Sequence, residues 1–221
     1  MSRALRTTVL ISGSGSNLQA LIDACGAGKI PAQIIHVISN VAAAPGLQRA
    51  RQAGIGTSVL EHGAFADRAD FDRALALLIA AGEPELVVLA GFMRIIGPAV
   101  LEPFRGRIIN LHPSLLPLYP GTGTYQRALD AGDRQHGASI HFVTGELDGG
   151  PVISQVVVPV LAGDDAASLA ARLGPREHRL VVATVELFAT RRVESRDGDV
   201  LVDGERLARP LRLQADDRLV A

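Results

Sequence analysis

The fold is decided by residues 7–17, which read TTVLISGSGSN. The first part of this stretch is an unbroken β-branched and aliphatic run, which predicts a strand that helices cover on both faces. Gly13 and Gly15 then permit a tight turn, and leucine and isoleucine follow at helical spacing. A strand that turns at once into a helix predicts the first half of a β–α–β unit, from which parallel sheets are built.

The alternation of strand and helix continues through the first half of the chain. Further strands are predicted at Ile34–Ser39, Leu86–Ala90 and Arg107–Leu111, and helices at about 47–53 and 71–79. Short connections between such elements imply right-handed crossovers. The predicted fold class is therefore α/β, with a Rossmann-like, mostly parallel sheet flanked by helices.

The second half of the chain has a mixed pattern. Two strands, at Ser139–Val143 and Val152–Val158, are joined by a polar loop, and a long helix follows at about 166–190. The tail carries a small hairpin around Asp197-Gly198. We predict a single domain over residues 1–221, made of two halves and a tail, at 7–110, 111–190 and 191–221.

Composition and charge exclude several classes of protein. The chain has 221 residues, of which 22 are basic and 23 acidic with no basic block, so we expect no nucleic-acid partner. No apolar stretch approaches the roughly 20 residues needed to cross a bilayer, and the start of the chain does not read as a signal peptide. The single cysteine, Cys25, fits a reducing compartment. We therefore expect a cytoplasmic protein with no membrane partner.

The glycine-rich turn after the first strand has the features of an anion site. Glycines let the backbone approach an anion closely, and the free N–H groups at a helix start attract phosphate. Leu18 stands where a dinucleotide fingerprint has its third glycine, and Asn40 replaces the carboxylate that binds an NAD ribose. A monophosphate therefore fits better than a pyrophosphate. The alternative is a structural turn in which Ser16 or Asn17 caps the helix.

Asn110 and His112 lie at the end of the fourth predicted strand, where Pro113 makes the chain leave the sheet. Strand alternation places both side chains on one face, and the carboxyl ends of parallel strands line the ligand crevice of α/β folds. An asparagine amide can stabilise an oxyanion, and a histidine can hold or deliver a proton. The alternative makes Asn110 a cap and His112 a turn residue.

Asp148 is followed by two glycines and a proline, which is a turn signal in its own right. The functional interpretation is a carboxylate that a tight loop aims at the site. Near His112 it would favour the imidazolium and raise the pKa of that histidine. His136 and His141 have no cysteine or carboxylate set beside them, so we expect no metal site.

Several segments, taken together, form a longer pattern. In chain order they are VLISGSGSNLQA at 9–20, SN at 39–40, LAGFMRI at 89–95, NLHPSLLP at 110–117, HFV at 141–143 and DGGPVI at 148–153. This pattern resembles the glycinamide ribonucleotide formyltransferase family over about residues 7–188. The segments that begin at Asn110 and end after Asp148 are shared by all folate-dependent formyltransferases, and the first segment narrows the resemblance to the glycinamide ribonucleotide branch.

The resemblance implies a site for each of two small-molecule substrates. It places the ribonucleotide on Gly13, Gly15, Ser16, Asn17 and Glu177. It places the folate on Arg68, Met93, Arg94, Ile95, Ile96 and Asn110. It makes Asn110, His112 and Asp148 the catalytic residues. By the same resemblance, residues 7–110 are the nucleotide-binding half and 111–190 the folate-binding and catalytic half of one formyltransferase domain.

The implied reaction moves the formyl group of 10-formyltetrahydrofolate, a co-substrate, to the amine of glycinamide ribonucleotide in purine synthesis, without a metal. Asn110 and protonated His112 would stabilise the oxyanion, and Asp148 would support His112. Two alternatives stay open. One is a formyltetrahydrofolate hydrolase that uses the same residues with water, and the other is a catalytically silent nucleotide-binding module.

The chain departs from the family's pattern in places. Leu118 stands where a lysine is common, and Thr122–Gln126 replace a histidine-rich stretch of many bacterial members. Neither departure touches the catalytic residues, but both leave details of the substrate side open. The sequence also leaves the oligomeric state open, and a homodimer is compatible with it.

Overall fold

The computed structural model describes residues 3–221, which divide into two compact units. The first unit runs to Asn110 and the second begins at Leu111. The boundary between them falls inside one strand, β5 (Ile108–His112).

The first unit alternates strands and helices, as its sequence predicts. Its strands are β1 (Leu5–Ile11), β2 (Ala32–Ser39), β3 (Thr57–Val59), β4 (Leu86–Leu89) and the start of β5. Its helices are α1 (Ser16–Gly26), α2 (Pro45–Gln52), α3 (Arg68–Ala80) and the short α4 (Pro98–Leu101), with a single 3₁₀ turn at His62–Ala64.

The strands of the first unit form a parallel sheet in the order β5–β4–β1–β2–β3. β4 is buried along its whole length, and β1 is buried from Thr7 to Ile11. Continuous apolar strands of this kind are what a sheet requires when helices cover both of its faces. Leu21 of α1, Leu47 of α2 and Leu75 of α3 are buried as well, so each helix contributes to the core.

The strand order reverses at β1. From β1 the chain moves to β2 and β3 on one side, and it then crosses to β4 and β5 on the other side. At such a reversal the loops that leave two neighbouring strands turn away from each other and leave a crevice at the carboxyl edge of the sheet. In this chain the two loops are those that follow β1 and β4, and they position the first part of the candidate site.

The second unit is built on an antiparallel hairpin of β6 (Gln135–Phe142) and β7 (Val152–Pro159). β7 also pairs in parallel with β11 (Leu211–Leu213), and β11 pairs with the short β12 (Leu219–Val220). A separate three-stranded sheet contains β8 (Val193–Arg196), β9 (Asp199–Val202) and β10 (Glu205–Arg206). The helices of this unit are α5 (Thr124–Asp130) and α6 (Ala166–Thr190).

α6 is the longest helix, with 25 residues. Asp165 caps its start by accepting a hydrogen bond from the Ser168 N–H at 2.7 Å, and the Ser168 hydroxyl accepts one from the Asp165 N–H at 3.0 Å. Its inward face is aliphatic, with Leu169, Leu173 and Leu180 buried. Within residues 3–221, no helix combines the length and the apolar character needed to cross a membrane.

The predicted fold class, an α/β fold with a mostly parallel sheet and a mixed C-terminal portion, is confirmed. α6 has the predicted bounds, and the tail hairpin turns at Asp197-Gly198 with φ of 53° and 85°. The sequence pattern does not reveal β3, α5, β11 or β12. The three strands are two or three residues long, and α5 follows two closely spaced glycines, so none of them shows a clear periodicity.

Candidate active site

A cleft opens at the carboxyl edge of the first unit's sheet, at the point where the strand order reverses. It is lined by the two loops that leave β1 and β4, namely by Ser12–Asn17 and by Ala90, Gly91 and Met93. The structure therefore brings together four of the residues that the sequence assigns to the ribonucleotide, which are Gly13, Gly15, Ser16 and Asn17.

Gly15 is the residue on which this turn depends. It immediately precedes α1 with a φ of 69°, a left-handed conformation that favours glycine. A Cβ atom at this position would lie 2.6 Å from the Cα of Gly46 in α2. The alternative in which Ser16 or Asn17 caps the helix is wrong, because Gly15 occupies the cap position and α1 has no side-chain cap. The N–H groups of its first turn are therefore not taken up by a capping oxygen.

Arg49 of α2 supports the turn from the other side, and the sequence analysis does not identify it. Its Nε donates to the Ser14 carbonyl at 2.9 Å, and its Nη1 donates to Oε1 of Gln19 at 3.3 Å. The N–H of Gly46 donates to the Gly13 carbonyl at 3.1 Å. The carbonyl oxygens of Gly13 and Ser14 are therefore hydrogen-bonded, and the Arg49 guanidinium lies next to the turn. A positive charge at this place suits an anion site.

The loop after β4 carries four of the six residues that the resemblance assigns to the folate, namely Met93, Arg94, Ile95 and Ile96. Met93 and Ile95 present apolar side chains to solvent, with 70% and 56% of their surface exposed. Ile96 is buried, so its side chain does not add to this exposed apolar surface. Exposed apolar side chains of this size on a loop commonly mark a ligand-binding surface.

Arg68 and Arg94 add positive charge beside this loop. Nη2 of Arg68 donates to the Ile95 carbonyl at 3.1 Å, and the guanidinium of Arg94 lies over the Phe71 ring at 6.0 Å from its centroid. Nε of Arg68 also lies 3.6 Å from Oδ2 of Asp72. The structure therefore brings four predicted folate residues, Arg68, Met93, Arg94 and Ile95, to one loop and the start of α3.

Asp72 braces this loop from inside the protein. Burial raises the pKa of Asp72, although the charges of Arg68 and Arg94 and the Gly97 N–H oppose the shift. A Cβ on Gly97 would clash with Oδ2 of Asp72, so only glycine allows the loop to lie this close to the carboxylate. The sequence analysis does not single out Asp72, because its role arises from a tertiary contact.

In the second unit, His112 is buried at the end of β5 with an acceptor at each ring nitrogen. Its Nε2 lies 2.9 Å from the Tyr119 carbonyl, and its Nδ1 lies 3.4 Å from Oδ2 of Asp148. A neutral imidazole has one N–H and can donate to only one of them. The arrangement of partners therefore favours the imidazolium.

Burial opposes this preference. It lowers the pKa of His112 below its ordinary value, while the Tyr119 carbonyl and the Asp148 carboxylate act in the opposite direction and the charges of His141 and Arg127 add to the lowering. The sequence analysis expects the carboxylate to raise the pKa of His112. The carboxylate does act in that direction, but burial outweighs it, so His112 is mainly neutral at neutral pH.

Asp148 is held by a strained but well-supported loop. Its φ is 50°, in the left-handed region that aspartate tolerates better than most residues, and its Oδ2 accepts a hydrogen bond from the Gly121 N–H at 2.8 Å. Gly150 is required because a Cβ there would clash with the Phe142 carbonyl. The turn interpretation of this segment is therefore confirmed, and the functional interpretation of Asp148 stays a prediction that this geometry permits.

The carboxylate of Asp148 is shared between two histidines. Nε2 of His141 lies 3.6 Å from Oδ1, on the side of the carboxylate that does not face His112. Burial by itself raises the pKa of Asp148, but a hydrogen bond from His141, the Gly121 N–H and electrostatic interaction with both histidines outweigh it and lower the pKa. Asp148 is therefore ionised at neutral pH.

In the sequence, His141 is a possible metal ligand and part of the segment at 141–143, and neither observation predicts this contact. The register of the β6–β7 pairing shifts between Ile140 and His141, and such an irregularity re-aims the side chains beside it. The signal available in the sequence is the place of His141 at the end of a strand that leads directly into the loop of Asp148. Within residues 3–221, no three histidine, cysteine or carboxylate side chains are arranged so that they could hold a metal ion.

The segment that supplies the Tyr119 carbonyl is fixed by buried polar side chains of the hairpin. Oγ of Ser139 donates to the Ser114 carbonyl at 2.7 Å and accepts from the Leu116 N–H at 3.0 Å. Nε2 of Gln155 donates to the Leu116 carbonyl at 3.0 Å. Because these groups are buried, the backbone between His112 and Tyr119 is held in one conformation.

Asn110 and Glu177 complete the set of predicted residues. Asn110 is half-buried on β5, two positions before His112. Glu177 lies on α6, where its Oε1 is 3.5 Å from the Tyr125 hydroxyl. Burial and the Glu177 carboxylate raise the pKa of Tyr125 well above its ordinary value, so Tyr125 stays a neutral donor.

Comparisons with known proteins show which family the chain is similar to. Residues 5–185 match the sequence model of the formyl transferase family. The chain is 50% identical to the phosphoribosylglycinamide formyltransferase of Escherichia coli K12 over 203 residues, which cover 92% of this chain and 96% of that protein.

Solved structures are also similar to this chain. A phosphoribosylglycinamide formyltransferase from Coxiella burnetii, in complex with CHES, superimposes with a TM-score of 0.89 at 44% identity and covers 93% of this chain and 96% of its own. A formyltetrahydrofolate deformylase from Pseudomonas syringae has a TM-score of 0.83 at 25% identity and covers 90% of this chain but 66% of its own.

We expect Asp148→Asn to lower the pKa of His112 further. The substitution removes the negative charge at 3.4 Å that favours the imidazolium, and burial then acts with less opposition. The pKa of His112 can be measured by NMR titration of a histidine-labelled protein. Glu146→Gln, which removes an exposed carboxylate from the same loop, serves as the control and should leave the His112 titration in place. A His112 pKa that stays constant or rises in Asp148→Asn would contradict the assignment of this charge.

Proposed function

The chain belongs to the formyl transferase family, and we propose that it transfers the formyl group of 10-formyltetrahydrofolate to the amine of glycinamide ribonucleotide. The products are formylglycinamide ribonucleotide and tetrahydrofolate, in purine synthesis. The observation that carries the choice of acceptor is the glycine turn at residues 12–17, which gives the phosphate of a ribonucleotide a place at the start of α1.

The ribonucleotide phosphate binds at this turn through backbone N–H groups of Gly13, Gly15, Ser16 and Asn17. The dipole of α1 favours an anion at its start, and the Arg49 guanidinium behind the turn adds to the attraction. The turn lacks the third glycine of a dinucleotide site, so a single phosphate fits it better than a pyrophosphate. Glu177 accepts a hydrogen bond from Tyr125 and offers its remaining acceptor capacity to ribonucleotide hydroxyls.

The folate fits the loop after β4 by its chemistry. Its flat ring system and linker are apolar enough to pack on Met93 and Ile95, which are otherwise exposed. Its carboxylates match the positive charge of Arg68 and Arg94. Ile96 takes part through its backbone, and we assign Asn110 to the same ligand at its formyl group.

The transfer needs groups that stabilise the negative charge that forms on the carbonyl oxygen, and a group that carries protons. The amine nitrogen of the ribonucleotide bonds to the formyl carbon, and the carbonyl oxygen takes the electron pair. The Asn110 amide and the His112 imidazolium stabilise that oxygen. The oxygen then returns its electron pair to form the carbonyl again, and the bond from the carbon to the folate nitrogen breaks. That nitrogen keeps the electrons of the broken bond and gains a proton, while the former amine loses one.

His112 is suited to this task because its charge responds to the reaction. It is mainly neutral in the resting protein, since burial lowers its pKa. A negative oxygen that forms beside it raises its affinity for a proton, and the groups at its two ring nitrogens are both acceptors that suit the imidazolium. Asp148 keeps the ring oriented and stabilises the imidazolium once it forms.

The hydrolase alternative is less well supported. A formyltetrahydrofolate deformylase shares the fold, but this chain covers only 66% of it at 25% identity. A hydrolase that passes the formyl group to water has no use for a phosphate turn supported by Arg49. A silent binding module would have no need for a buried carboxylate held between two histidines.

Other parts of the proposal rest on resemblance alone. We assign residues 7–110 to nucleotide binding and 111–190 to folate binding and catalysis within one formyltransferase domain. A homodimer and a cytoplasmic location stay predictions.

His112→Ala should reduce turnover by about 10²–10⁴-fold, the range typical of a general acid or base. The assay follows formylglycinamide ribonucleotide formation at saturating substrates. His62→Ala is the control, because His62 is an exposed histidine outside the proposed site. Thermal unfolding of both variants checks the fold. A folded His112→Ala protein that keeps more than about a tenth of wild-type turnover would remove His112 from the chemistry.

Gly15→Val should raise the KM for the ribonucleotide strongly and leave the KM for 10-formyltetrahydrofolate nearly unchanged. A Cβ at this position meets Gly46 and displaces the turn, and the left-handed φ adds strain.

The matched control is Gly28→Val, at a glycine after α1 with a similar φ of 65° and open space around it. It carries comparable backbone strain without disturbing the cleft. If the two variants, both folded, had the same ribonucleotide KM, the phosphate assignment would be wrong.

A further inference from the structure

Three loops meet at the carboxyl edge of the first unit's sheet, and a chain of hydrogen bonds joins them. Ser12 follows β1, Asn40 follows β2, and Met93 lies in the loop after β4. The Met93 N–H donates to Oγ of Ser12 at 2.7 Å, and Oγ of Ser12 donates to Oδ1 of Asn40 at 2.5 Å. The Ser12 N–H also donates to the Gly91 carbonyl at 3.0 Å.

The direction of this chain of bonds is fixed by the chemistry of its members. A backbone N–H can only donate, so the Ser12 oxygen must accept from Met93. The hydroxyl has a single hydrogen, and Oδ1 of Asn40 can only accept, so that hydrogen points to Asn40. Asn40 therefore determines which way the Ser12 hydroxyl is turned, and in that orientation its lone pairs are available to Met93.

Asn40 acts from inside the protein. It is 6% exposed and does not line the cleft, whereas Ser12 does. A buried amide oxygen without a partner is costly, so the Ser12 hydroxyl and Asn40 hold each other in place. In the sequence Asn40 is notable for the absence of the carboxylate that an NAD site requires and as part of the segment SN at 39–40, and neither observation explains its own role.

We propose that Asn40 is a positioning residue for folate binding, which acts through the Ser12 hydroxyl on the backbone of Met93. This inference rests on the proposed function, in which residues 93–96 bind the folate. The hydrogen bond from the Met93 N–H holds the backbone that carries the exposed Met93 and Ile95 side chains. Folate binding then does not have to order this loop, which lowers the entropic cost of binding.

The ribonucleotide turn has supports that do not involve Asn40. The Gly46 N–H holds the Gly13 carbonyl at 3.1 Å, and Arg49 holds the Ser14 carbonyl at 2.9 Å. Loss of the Asn40 amide therefore disturbs the loop after β4 and spares the turn after β1. The two substrates should respond differently to the same substitution.

The test compares substrate KM values in three variants. Asn40→Ala should raise the KM for 10-formyltetrahydrofolate by roughly five- to tenfold, the usual effect of one lost buried hydrogen bond, with the ribonucleotide KM within about twofold of wild type. Asn40→Asp keeps an acceptor oxygen for the Ser12 hydroxyl and should recover most of the folate KM. Ser39→Ala is the control, because it removes a neighbouring buried hydroxyl that bonds only to the backbone of Val41 in its own loop.

Some outcomes would overturn the inference. These are an unchanged folate KM in a folded Asn40→Ala protein, an equal rise of both KM values, no recovery in Asn40→Asp, or the same split in Ser39→Ala. Arg94→Ala separates this failure from that of the proposed function. If Arg94→Ala raises the folate KM and Asn40→Ala does not, only the role of Asn40 is wrong. If neither variant raises the folate KM, the folate assignment of the loop after β4 is wrong, and the role proposed for Asn40 is wrong as well.

Discussion

The reversal of strand order between β1 and β4 is the constraint on which the candidate substrate cleft depends. Parallel strands deliver their following loops to one edge of the sheet, and only at a reversal do two neighbouring loops part and leave room for a ligand. In this chain one of the two loops is a glycine turn that opens α1, and the other carries exposed apolar side chains beside two arginines. One topological feature thus accounts for the proposed anion site and an apolar surface next to each other.

The protonation states of the residues proposed for catalysis depend on the opposing effects of burial and nearby charge. Asp148 is buried yet ionised, because two histidines and the Gly121 N–H offset the cost of burying its charge. The same burial keeps His112 mainly neutral at rest, against the pull of that carboxylate. A histidine held between these influences can gain a proton when negative charge forms nearby and lose it when the charge is gone, which is what proton transfer during group transfer requires.

Much of this could be predicted from the sequence, because the relevant signals are local. The apolar run before Gly13 predicts β1, the helical stretch at about 166–190 predicts α6, and the turn at Asp197-Gly198 predicts the tail hairpin. What the sequence could not show depends on contacts between distant segments. Arg49, Asp72, Asn40 and His141 act through neighbours on other elements, and the net pKa of His112 depends on burial that no local pattern reveals. The short strands β3 and β11 pair with the longer strands β2 and β7, and β12 pairs with β11. The pairing of β11 with β7 joins segments that are distant in the sequence, so no local pattern predicts it.

The central claim is that the formyl group passes to the amine of a ribonucleotide and not to water. The most direct measurement follows 10-formyltetrahydrofolate labelled with ¹³C at the formyl carbon, by NMR, in the presence of the purified protein. The account predicts that the label moves to formylglycinamide ribonucleotide in step with tetrahydrofolate release, and that the folate stays intact when the ribonucleotide is left out. Labelled formate, formed at the same rate with or without the ribonucleotide, would contradict it.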